Sequence, residues 1–155
     1  MSDSSVTIKA VTTDNAVMQT IRDGRPELLV LNRSVANFDR PELFTWHLGI
    51  AMRAQAVDTD GMPAPGEIEI VNEVSEAVTM FVLAGKTPLG APNVLFLAQS
   101  TWNGVRELLF RVHDPVAAIE LISKKTFETW KRNWEFLIEE DPEWQKVRAL
   151  TNSLA

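Results

Sequence analysis

Residues 132–154 read R-N-W-E-F-L-I-E-E-D-P-E-W-Q-K-V-R-A-L-T-N-S-L. Trp134, Phe136 and Ile138 alternate with Glu135, Leu137 and Glu139, the period of two that a strand buried on one face requires. Asp141 then has the side chain of a helix N-cap, Pro142 suits the first helical position, and Glu143 puts a carboxylate where the helix dipole favours one. Trp144, Val147 and Leu150 follow at helical spacing, which predicts a last helix that packs on the core. The stretch is structural, and neither it nor the rest of the chain contains a recognisable catalytic motif.

The same devices recur upstream. Asp114-Pro115 repeats the helix start of Asp141-Pro142 and predicts a short helix through Ala118, Leu121 and Ile122. Before it, Val94 to Thr101 and Val105 to Val112 read as strands joined across Asn103-Gly104, a strong hairpin signal. Ile68, Val71, Val74, Val78, Phe81 and Val82 recur at three- and four-residue steps and predict an amphipathic helix. Phe44, Trp46, Leu48, Ile50 and Met52 alternate with Thr45, His47, Gly49, Ala51 and Arg53 as the clearest long strand. A first hairpin is predicted across Asp23-Gly24, with a break around Asn37 to Pro41.

Without the first hairpin and the last helix, the order is strand, helix, strand, strand, helix, strand. That is the split βαβ, or ferredoxin-like, order. It predicts an α+β fold with both helices on one face of an antiparallel sheet ordered fourth, first, third, second. The central pair is then Leu43 to Arg53 beside Val105 to Val112, and the hairpin and C-terminal helix are additions. Residues 1–12 are expected to be a flexible polar tail and residues 13–155 a single domain.

Composition narrows the chemistry. The 155 residues include no Cys, which excludes disulfides, thiolate zinc sites, iron–sulfur clusters and cysteine nucleophiles. No N-terminal signal and no apolar run near membrane length is read, so a soluble, cytoplasmic protein is expected. Twenty-one acidic residues against fifteen basic give a net charge of −6. Such a balance disfavours direct nucleic acid binding and favours a basic protein partner. Val105 to His113 also lacks the aromatic pattern of an RNA-binding sheet. Five Trp and seven Phe occur with no Tyr, and Trp46, Phe96, Phe110, Trp134 and Phe136 fall on the strand phase assigned to the core.

Several residue groups have side chains of the kind that sites use. Ala84-Gly85-Lys86-Thr87 resembles the end of a phosphate loop, but Met80 stands where the first glycine is needed; Gly85 and Gly90 read as a helix C-cap and a loop glycine. Glu139, Glu140, Asp141 and Glu143 cluster as carboxylates, for which solvation and helix capping account. His47 and His113 have no second ligand at helical spacing, so no metal or other cofactor is expected.

The ordered series D-G-R-P-E-L-L-V-L-N (23–32), G-M-P (61–63), an acidic amphipathic helix, N-G-V-R-E-L-L-F-R-V-H-D (103–114) and W-E-F-L-I-E-E-D-P-E-W (134–144) resembles the bacterial family known as domain of unknown function 695. The match spans roughly residues 16 to 150, and its most specific elements are Gly104-Val105-Arg106-Glu107 and Asp141-Pro142-Glu143-Trp144. The chain departs from the family at Phe110-Arg111 and after Gln145, where the family tends to carry Tyr. The family has no established activity. The resemblance implies a neighbour or fusion partner of ribonuclease E inhibitor domains, acidic regulators of RNA turnover.

The leading expectation is a non-enzymatic regulatory or adaptor protein that binds a protein partner through the sheet face opposite the helices. The residues assigned there are His47, Arg53, Glu107, Arg111 and His113, with Arg111 as an exposed anchor beside Glu107. Asp141, Pro142 and Trp144 are assigned structural roles. The hairpin, a second copy of the chain or a partner is expected to cover part of that face. The alternatives are a small hydrolase or metal-dependent enzyme built on His47, His113, Glu107 and Arg111, and an immunity-type protein that neutralises a basic partner.

Overall fold

Two left-handed turns fix the hairpins. At Asp23-Gly24 the φ angles are 51° and 75°, and at Asn103-Gly104 they are 49° and 79°, the signature of two-residue turns whose twist matches that of the flanking strands. The first joins β1 (Asn15–Arg22) to β2 (Arg25–Asn32), and the second joins β4 (Val94–Trp102) to β5 (Val105–Val112). In the computed structural model, which describes residues 14–125 and 129–152, these four strands combine with β3 (Trp46–Arg53) and β6 (Trp134–Glu140). They form one six-stranded antiparallel sheet in the order β1-β2-β4-β5-β3-β6. The expected tail at residues 1–12 lies outside the described residues.

Four helices complete the α+β fold: α1 (Arg33–Ala36), α2 (Glu67–Leu83), α3 (Pro115–Lys125) and α4 (Gln145–Asn152). Helix α3 starts as its sequence predicts, with Asp114 Oδ1 accepting from the N–H groups of Val116 (3.0 Å) and Ala117 (3.2 Å). Helix α2 lacks a side-chain N-cap but carries Glu67 and Glu69 in its first turn. Arg132 donates to both carboxylate oxygens of Glu67, and the Gln55 N–H adds a third bond at 2.6 Å. These bonds hold the Glu67 carboxyl at about 2, against the opposing effect of burial.

The sheet is covered unequally. On one face Leu48, Ile50, Met52, Leu108 and Phe110 pack against Val71, Val74, Val78 and Val82 of α2 and against Ala118 and Ile122 of α3. Each such side chain, fully removed from water, contributes roughly 1.5–3 kcal/mol. On the other face Leu29, Leu31, Leu95 and Leu97 pack against Val35, Phe44, Trp144 and Val147. Burial on both faces explains why β4 reads as the nearly continuous apolar run V-L-F-L-A. A register shift between Phe96 and Ala98 lets Leu95, Leu97 and Ala98 all reach the second core.

Four expectations need correction. The N-terminal hairpin extends the sheet beside β4 and does not cover the second face; α1, a 3-10 turn at Pro41–Leu43 and α4 cover part of it. Arg111 is therefore fully buried and not an exposed anchor, and it pairs with Asp141 instead of Glu107. The last helix begins at Gln145, so Pro142 precedes it, and Trp144 sits in the left-handed region at φ 56°. At the end of α2 the capping residue is Ala84, and Gly85 sits in a close approach: a Cβ there would lie 3.0 Å from Leu121 Cδ2 and 3.2 Å from the Val82 carbonyl, so Leu121 would have to give way.

Candidate functional site

The period of two that buries Leu48, Ile50 and Met52 turns His47, Gly49 and Ala51 toward the second face. The ladders then align three rows across β5, β3 and β6. Arg111, His47 and Glu139 form the first; Leu109, Gly49 and Leu137 the second; Glu107, Ala51 and Glu135 the third. Helix α4 covers the Arg111 end and leaves the other two rows open. Because Gly49 and Ala51 are small, the centre of the sheet lies lower than its flanks, forming a groove of about 390 Å³.

The groove is apolar in its middle and acidic at its rim. Leu137 is 65% exposed, an unusual setting for a leucine on a strand, and it faces half-buried Leu109 across Gly49. Glu107, Glu135 and Glu139 surround this row, and among the described residues the one cation lining the groove is Lys146 of α4. Lys146 lies 2.9 Å from Glu139, whose carboxylate raises its pKa. Two glutamates thus stand beside an exposed leucine at the margin of β6, which pairs with β3 alone among the described strands.

Beneath the covered end is a fixed ion pair. Arg111 donates to Asp141 Oδ2 at 3.0 Å, to the Asp141 carbonyl at 2.7 Å and to the Phe44 carbonyl at 3.2 Å, and its guanidinium stacks 4.5 Å from the Trp144 ring. Asp141 Oδ1 and Oδ2 also accept from the N–H groups of Gln145 and Lys146, at 3.0 and 3.1 Å. Burial pushes the Asp141 carboxyl up, but those two N–H donors and Arg111 outweigh it and hold the group below its ordinary value. Trp144 Nε1 donates to the Pro41 carbonyl at 2.9 Å, tying the turn before α4 to the 3-10 turn.

His47 lies at the border between the covered and open parts. It is 6% exposed, lines the groove, and its Nδ1 is buried without a hydrogen-bond partner among the described residues. Burial, followed by the positive charges of Arg111 and Lys146, lowers its pKa to about 4 against the weaker pull of Asp141 and Glu139. The imidazole is therefore neutral at neutral pH.

The five residues assigned to partner binding do not form one cluster. His47 and Glu107 line the groove. Arg53 is exposed at the end of β3 and borders a neighbouring hollow of about 450 Å³ with Arg132 and Trp134. His113 is exposed beyond β5, where its Nδ1 lies 2.5 Å from the Leu43 carbonyl and its ring stands edge-on to Phe44. Arg111 is enclosed. The carboxylate cluster divides too: Asp141 turns inward, Glu139 faces the groove, and Glu140 and Glu143 are exposed. Among the described residues no group of three or more His, Asp or Glu side chains comes together to hold a metal ion.

Inspection of the sequence missed Glu135, Leu137 and Lys146. Leu137 was visible as an apolar residue on the polar phase of β6, but Lys146 reaches the groove only because α4 begins late. Ala84-Gly85-Lys86-Thr87 runs from the end of α2 into a closed loop, in which the Thr87 N–H donates to the Ala91 carbonyl (2.7 Å) and Thr87 Oγ1 accepts from the Ala91 N–H (3.1 Å). No described helix is long and apolar enough to cross a membrane. No family model matches the chain, and no curated protein or solved structure matches it at a significant level.

Proposed function

We propose that the chain is a protein-binding adaptor or regulator whose groove receives an extended, basic segment of its partner. The segment would lie along β6, add main-chain hydrogen bonds to that edge, and place an apolar side chain beside Leu137. Its lysine or arginine side chains would meet Glu135 and Glu139. The observation that carries this reading is exposed Leu137 set between Glu135 and Glu139 on a sheet margin that pairs with no further strand among the described residues. Exposed apolar surface with a polar rim is the usual anatomy of an interaction site.

The strand order β4-β5-β3-β6, with α2 and α3 on one face, supports reading the core as a split βαβ fold. The collinear motifs support kinship with family 695, and with it a link to RNA processing through a basic enzyme segment. These readings rest on analogy of fold and motif, whereas the groove rests on chemistry.

The test uses a fluorescent peptide as long as β6, R-T-V-T-R-T-V, in which arginine and valine take turns at every second position and so share one face; binding is followed by anisotropy. Binding is expected, with the affinity falling at least about tenfold between 0.05 and 0.5 M salt because the contacts are exposed charges. The variant Glu135→Lys/Glu139→Lys should lose binding while keeping its melting curve. Equal binding of a glutamate–valine peptide, or unchanged binding by the variant, would overturn the proposal.

A further inference from the structure

β1, at the opposite margin of the sheet, presents a different kind of surface. It pairs with β2 through eight successive partners without a bulge, and its other edge carries no strand among the described residues. From Asn15 to Ile21 it contains no charge, proline or glycine. Charges, prolines and bulges are the means by which exposed edges resist pairing with another strand. The β6 margin carries such charges in Glu135, Glu139 and Glu140; β1 has none before Arg22.

The hairpin determines which groups are available. A two-residue turn makes Arg22 and Arg25 a hydrogen-bonded pair, so alternation directs the main-chain groups of Val17, Gln19 and Ile21 toward the free edge. Pro26, opposite Ile21, fits this pattern because that position donates no bond to β1. The side chains of Val17 and Ile21 are 67% and 72% exposed. They share a face with half-buried Leu28 and Val30, beside the region of β4 and β5 on which α2 packs.

We propose that two copies of the chain pair through β1 about a two-fold axis perpendicular to the sheet, which then continues through both. Gln19 stands opposite Gln19 of the second copy, and Val17 opposite Ile21 of the second copy. This register joins residues whose N–H and C=O groups already point outward, and it merges the Val17, Ile21, Leu28 and Val30 strips of both copies. The register, in which Val17 meets Ile21 and the strand ends differ in sign, fits a second copy as the occupant. Two chains of net charge −6 repel one another over most of their surface, but Asn15 to Ile21 is neutral. At the ends of the strand Asp14 and Arg22 differ in sign, and the two-fold axis sets each diagonally beside the other. The pairing is isologous and closes at two copies.

Sedimentation equilibrium of the full chain tests this, with an expected mass of twice 17.4 kDa. Val17→Lys/Ile21→Lys alters only exposed side chains, so it should keep the circular dichroism melt and raise the dissociation constant at least about 100-fold. Amide exchange of the wild-type chain supplies a measurement free of substitutions: Val17, Gln19 and Ile21 should be protected in concentrated samples and exchange freely in dilute ones. A wild-type chain that stays at 17.4 kDa up to about 0.2 mM, because residues 1–13 or another partner take the edge, overturns the proposal. So does a lysine variant that remains dimeric, or a mass above two copies.

Discussion

Arg111 shows how one residue can be placed on the correct face and still be misjudged. Strand period assigns it to the face opposite α2 and α3, and the β3–β5 ladder agrees. Its burial depends on residues 33–44, a stretch with no periodic pattern, which deliver the Phe44 carbonyl and the partner carbonyl for Trp144. Removing one member of a buried ion pair leaves an uncompensated charge, so Arg111→Ala should cost about 3–5 kcal/mol in urea unfolding. A loss under about 1 kcal/mol would place Arg111 at the surface. His47 yields a second prediction. Its folded pKa of about 4 lies below the ordinary histidine value, so folding favours the neutral ring. Its contribution is complete above about pH 6.5 and is lost as pH falls toward 4, by up to about 3 kcal/mol. Glu67, held at about 2, keeps its full contribution above the ordinary carboxylate range and loses it only as pH falls from about 4.5 toward 2. Unfolding free energies measured from pH 7 to 4.5 should therefore decline for the wild type and stay nearly level for His47→Gln; equal slopes would refute the burial of His47.

Elements with local signals were legible. Asp-Gly and Asn-Gly at the hairpins, Asp114 before α3 and the apolar stripe of α2 each encode their structure within a few residues. The stretch before α4 shows where this fails. Asp141-Pro142 has the composition of a helix start, yet Asp141 is drawn inward by Arg111 and the chain turns through Trp144 before the helix begins. Asp141 still accepts from the first two N–H groups of α4, but across an intervening turn, while its carboxylate also serves Arg111. Helix α4 consequently depends on two anchors, Trp144 and Val147, both buried. Trp144→Ala should cost about 3–5 kcal/mol, and amide protection throughout α4 should fall with it. A loss below 1 kcal/mol would mean that α4 is peripheral to the second core.

For the whole molecule, the decisive property is a sheet with unequal margins and an incompletely covered second face. Helix α4 and residues 33–44 close one end of that face, and the rows containing Gly49 and Ala51 remain open. The sequence displayed the small residues and the net acidity, but only the β3–β6 register brings Glu135, Leu137 and Glu139 beside them. Backbone amide NMR with the arginine–valine peptide tests this placement most directly. Shifts should concentrate on β6 from Trp134 to Glu140, with smaller ones at His47, Gly49 and Ala51, and should vanish for Glu135→Lys/Glu139→Lys. Shifts centred on α2 and α3, with β6 unmoved, would contradict it.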